Sequence, residues 1–156
     1  MRLDEQHPLN RQVIVYLTAD RKRPRFSAEP ILAPDRHPDP YLEAGSHPDI
    51  VERIWDKIGA ALPADCRALV YGSPALVHSE TGIVLALAFG TQYAIRVPAD
   101  TLEIALGKGC TNRQTWTGGG ETRIQEVLGN DWLFGGWSDA ESQWIARLYR
   151  ELAKSG

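Results

Sequence analysis

The sequence predicts a single α+β domain, and three observations carry that prediction. Between residues 67 and 97, short apolar runs alternate with turn residues, as in consecutive antiparallel strands. Two segments, about 47–62 and 139–153, repeat apolar residues at helical spacing. These helices bracket the strands rather than alternate with them, which points to α+β rather than α/β.

The meander reads Arg67-Ala-Leu-Val-Tyr71, then Ala75-Leu-Val-His78, then Ile83 to Phe89, then Gln92 to Val97. Alternation along Ile83–Phe89 puts Ile83, Leu85, Leu87 and Phe89 on one face and Val84, Ala86 and Ala88 on the other. Both sets are apolar, which predicts a central strand covered on both sides. In the next strand Tyr93, Ile95 and Val97 share a face, and Ala94 and Arg96 share the other. Further strands are expected near 13–17, where Val13-Ile14-Val15 is β-branched, and near 131–134, at an edge.

In the helix over 47–62, Ile50, Val51, Ile54, Trp55 and Ile58 form one stripe, Ser46 can cap it and Pro63 ends it. In the last helix Trp144, Ile145, Leu148, Tyr149 and Leu152 form the stripe, with Ser138 and Glu141 spaced as a capping box. Both stripes should pack on the sheet, on one face. Short helices are expected at about 100–106 and 121–128, each ended by a glycine.

The domain divides into 1–45, a strand plus a Pro-rich surface arm, and 46–156, the compact core. Six prolines between Pro24 and Pro48 exclude regular helix or a central strand there.

Composition excludes several classes. The chain has 156 residues and a net charge of −3. Residues 1–45 carry seven basic and seven acidic side chains, and 46–156 carry ten and thirteen. That balance argues against nucleic acid, and the cluster Arg21-Lys22-Arg23 reads as a solvated turn. The longest apolar run is too short to cross a bilayer. Two cysteines, Cys66 and Cys110, without an export signal predict free thiols in a cytoplasmic protein.

Motifs for chemistry are sparse. His37-Pro38-Asp39 and His47-Pro48-Asp49 match no metal spacing and are explained by turn and helix-start preferences. Cys110, near Lys108 and Arg113, could carry a lowered pKa, with His78 as its base. Gly118-Gly119-Gly120 before a helix could bind an anion, although Glu121 opposes it. No sequence pattern calls for a cofactor.

Two functions follow as expectations. The first is a small non-catalytic interaction protein, in the manner of an inhibitor or immunity-type partner. Its contact would centre on Trp132, Phe134, Trp137 and Trp116, aromatics in or beside Gly-rich segments. In Trp132–Phe134 the two rings would face outward and Leu133 inward. The second is a small-molecule or anion site between the meander and the 108–120 loop, lined by His78, Glu80, Arg96, Arg113 and Trp116.

Overall fold

The computed structural model describes residues 3–19, 48–71, 73–89, 92–115 and 119–155. The Pro-rich arm, His37, His47 and Trp116 lie outside them.

A five-stranded antiparallel sheet is the centre of the fold, in the order β1-β2-β3-β4-β7. Its strands are β1 (Arg67–Val70), β2 (Ser73–Val77), β3 (Val84–Phe89), β4 (Gln92–Arg96) and, after the excursion described below, β7 (Trp132–Phe134). The meander expected from the turn residues is present, and β3 is its central strand. A two-residue turn joins β1 to β2 between the paired Val70 and Ser73, with Tyr71 at φ 49°. Pro74 lies inside β2, before the ladder to β3 begins at Ala75, so its missing N–H removes no bond to β3.

The even alternation expected along β3 is broken by a bulge. Leu76 pairs with Ala86 and Val77 with Val84, leaving Leu85 unpaired. Leu85 therefore joins Ala86 and Ala88 in one core, while Val84 and Leu87 belong to the other.

The first core lies under two helical elements. One is α2 (Pro48–Glu52), which widens into a π-helix over Arg53–Ile58 and ends in a 3-10 turn at Gly59–Ala61. The other is α5 (Glu141–Ser155). Ile54, Trp55 and Ile58 meet Leu85, Tyr93, Ile95, Val97, Ile145 and Leu148 there. Both apolar stripes thus cover one face, as the sequence predicts.

The second face shows the largest difference from expectation. Residues 13–17 are not a strand but part of α1 (Arg11–Ala19), entered through a 3-10 turn at Pro8–Asn10. Val13 and Leu17 are buried and Val15 is 63% exposed. That spacing of four is helical; in a strand all three would share a face. Pro8 at the first position of the turn, and the His7 ring accepting from the Leu9 N–H at 3.1 Å, begin the element. Helix α1 and the short α4 (Ile124–Val127) cover Val84, Leu87, Ala94, Trp132 and Phe134.

Between β4 and β7 the chain forms a 3-10 turn at Ala99–Thr101, α3 (Leu102–Leu106) and a hairpin of β5 (Arg113–Thr115) with β6 (Glu121–Arg123). The expected helix over 121–128 is therefore a strand followed by one turn of helix. No helix among the described residues is long and apolar enough to cross a membrane.

Candidate functional site

The segment Gly135-Gly136-Trp137-Ser138-Asp139-Ala140-Glu141 carries the chain from β7 into α5, and it builds a polar cluster around the buried Glu141. Neither glycine is replaceable at this spacing. A Cβ on Gly135 would fall inside the Tyr93 ring. One on Gly136 would overlap the backbone at Gly109 and Cys110. This close approach draws the loop down onto the sheet.

Glu141 is fully buried at the start of α5. It does not complete the expected capping box. Ser138 does cap, its Oγ accepting from the Ala140 N–H at 3.2 Å. The Glu141 carboxylate turns inward instead. It accepts from Arg53 Nη2 at 2.7 Å, the Gly136 N–H at 2.7 Å, the Tyr93 hydroxyl and Cys110 Sγ at 3.5 Å. Arg53 also donates to the Ser138 carbonyl at 2.6 Å and, through Nε, to the Tyr93 oxygen at 3.3 Å. A buried charge needs such pairing and hydrogen bonding to be tolerated.

The protonation consequences are clear in direction. Burial, then the hydrogen bond to Glu141, pushes the Tyr93 hydroxyl well up. Burial disfavours the Arg53 charge, yet its bonds to Glu141 and Tyr93 outweigh that and raise its pKa. Cys110 is pushed up to about 12, by burial first and then by the Glu141 charge. The expectation of a lowered thiol pKa is therefore reversed: Glu141, not Lys108 or Arg113, is the charge its sulfur meets. Both ring nitrogens of His78, its supposed base, are already engaged. Nδ1 accepts from the Glu80 and Thr81 N–H groups at 3.1 Å, and Nε2 donates to the Tyr149 carbonyl at 2.9 Å.

Trp137 stands on this cluster. Its indole is 49% exposed. Its backbone has φ 62°, a left-handed conformation that is rare for a bulky residue. Its N–H donates to the Tyr93 oxygen at 2.7 Å. Tyr93 meets its ring edge-on with centroids 5.3 Å apart, and the Arg53 guanidinium carbon lies 5.6 Å from its centroid. Arg53 also lines a cleft of about 350 Å³ that opens between the π-helical turn and the start of α5, with Asp56, Lys57, Asp139 and Ser142 among its other residues.

No protein-family model, curated protein or solved structure matches this chain.

The residues singled out from the sequence fare unequally. Trp137 is exposed as expected. Trp132 and Phe134 are not: both rings are fully buried against α1 and α4, and Leu133 is buried in the opposite core. The alternation along β7 is as expected, but α1 covers the face that a strand at 13–17 would have left open.

The alternative site does not assemble. His78 stacks on Tyr149 with ring centroids 3.8 Å apart, in contact with α5. Arg96 faces α1: it donates to Asp131 at 2.6 Å, to the Val84 carbonyl at 2.9 Å and to the Leu9 carbonyl at 3.0 Å. Its ion-pair partner is Asp131. Glu80 is exposed at the β2–β3 turn. Arg113 lies on the β5–β6 hairpin and pairs with Glu121 at 3.3 Å. That hairpin meets the start of β4 through Gln114 and Gln92, the end opposite Arg96. Gly119 lies in the hairpin loop, so the glycines lead into a strand and not into a helix N-terminus.

Sequence reasoning missed Arg53 and Tyr93. Their signals were an arginine among the apolar positions of a helix, and a tyrosine two residues into a buried strand.

Proposed function

We propose that this chain is a non-catalytic module that binds another protein, with Trp137 as the central contact. An inhibitor or immunity-type role would be one form of such a module. The observation that carries the reading is the presentation of Trp137. A large indole is held half in solvent on a left-handed backbone, a conformation that costs about 1–3 kcal/mol. Four groups hold that loop in place, the buried Tyr93 and Glu141 and the partly buried Arg53 and Gly136. A ring fixed before binding loses little entropy on contact, and tryptophan, tyrosine and arginine are enriched at interface hot spots.

The test is affinity, not capture. A partner isolated with the intact protein is purified and titrated against the intact chain and Trp137→Ala. The expected result is at least about a 30-fold loss of affinity, in line with a central aromatic anchor. Equal affinity for both proteins overturns the reading.

A further inference from the structure

Arg53 both lies near the Trp137 ring and lines the cleft, and one edge of its guanidinium is not spent on the Glu141 cluster. Arg53 spends Nε on Tyr93 and Nη2 on Glu141 and Ser138. Its Nη1 has no partner among the described residues, although the side chain is only 11% exposed and lines the cleft. The guanidinium is therefore held rigidly by two of its nitrogens, with the third available. Lys57 adds a second cation one turn along the same π-helical segment.

The opposing charges narrow the choice of ligand. Asp56 and Asp139 also line the cleft, and Asp56 is only loosely paired, 3.9 Å from Arg67. A free phosphate or other small dianion would meet both carboxylates at close range and be repelled. A polypeptide can satisfy both signs at once, and it can bring an apolar side chain to Trp137.

We infer that the cleft takes a short linear segment of the partner protein in which an acidic residue stands beside a basic one and an apolar one. The acidic side chain pairs with Arg53 Nη1 and Lys57, the basic one with Asp139 and Asp56, and the apolar one packs on Trp137. This rests on the reading of Trp137 as the contact and adds the chemistry of what it meets.

Random linear peptides displayed on phage test it, selected on the intact protein and counter-selected on Trp137→Ala. The expected consensus holds an acidic, a basic and an apolar residue. Changing the peptide's Glu or Asp to its amide should weaken binding about tenfold, the scale of a charge-assisted hydrogen bond. Lys57→Glu, at an exposed position that leaves the Arg53 network intact, should weaken it several-fold. An empty selection, a consensus without an acidic residue, or affinities indifferent to both changes overturns the inference. Trp137-dependent binding of a whole partner would still stand in those cases, so the two proposals fail separately.

Discussion

Arg96 and Asp131 meet at 2.6 Å on the face of the sheet covered by α1, and the guanidinium lies against the Trp132 ring, 4.9 Å from its centroid. The arginine is almost completely buried, while Asp131 retains contact with solvent. Through the same side chain the Leu9 carbonyl, just before α1, is bound to β3 and β7. Asn10 completes the attachment, accepting from the Val84 N–H at 2.9 Å and donating to the Gly82 carbonyl at 2.8 Å.

Arg96→Leu should therefore destabilise the protein by about 1–3 kcal/mol: Asp131 regains water, and the loss is that of the donor to the Val84 and Leu9 carbonyls. It should also make residues 3–19 accessible to protease before the rest of the chain. A denaturant titration and a limited digest read the two effects; an unchanged cleavage pattern would show that α1 is held by its apolar face alone.

The two classes of tryptophan should separate in stability. Trp132→Ala opens a cavity in the second core and should cost about 3–5 kcal/mol. Trp137→Ala removes a half-exposed ring and should cost under about 1 kcal/mol. Denaturant midpoints of the two variants decide it, and similar losses would show that Trp137 is a structural residue.

Gly135→Ala should be among the most damaging single substitutions. The new methyl group would need the space of the Tyr93 ring, which is held by Arg53, Glu141 and Trp137. A loss of about 3 kcal/mol or more is expected. Equilibrium unfolding measures it; a loss under about 1 kcal/mol would mean that the Tyr93 ring is free to move.

Stability should fall on the alkaline side. Burial pushes Cys66 up to about 11, helped by Asp65, and Cys110 up to about 12. In the unfolded chain a thiol titrates near pH 8.5. The folded state thus keeps its proton where the unfolded state has lost it. This contribution is complete below about pH 8.5 and is lost as pH rises toward 11–12, at about 1.4 kcal/mol per pH unit for each group. Both thiols are free and buried, so a thiol reagent should reach them only after unfolding. Replacing Cys110 with Ala should flatten the alkaline slope of the melting temperature; an unchanged slope would place the dependence elsewhere.

Local pattern was enough for the meander and the two main helices. Their apolar periods are long and uninterrupted, and the turn residues sit at their ends. It failed where a competing signal was short. Val13-Ile14-Val15 carries strong β propensity, yet burial of Val13 and Leu17 under a helical period decides the element. The bulge at Leu85 has no local signature, because it arises from how β2 and β3 must match. The site was legible only in part. Trp137 stood out as an aromatic next to glycines, but Glu141 looks like an ordinary capping residue until Arg53, 88 positions away, is seen to pair with it.

The attachment of Leu9 and Asn10 to residues 82, 84, 96 and, through Arg96, 131 also sets an order of events during synthesis. Residues 3–19 leave the ribosome long before the surface they cover exists. Until β7 emerges, Val13 and Leu17 lack Trp132 and Phe134, and Arg96 lacks its counter-charge. Closing this face joins segments far apart in the chain, which makes it a slow step. A nascent chain arrested before Asp131 would therefore hold α1 only through residues 82, 84 and 96 and leave bare the part of the β3 and β4 face that Trp132 and Phe134 pack on, the surface a chaperone would have to shield.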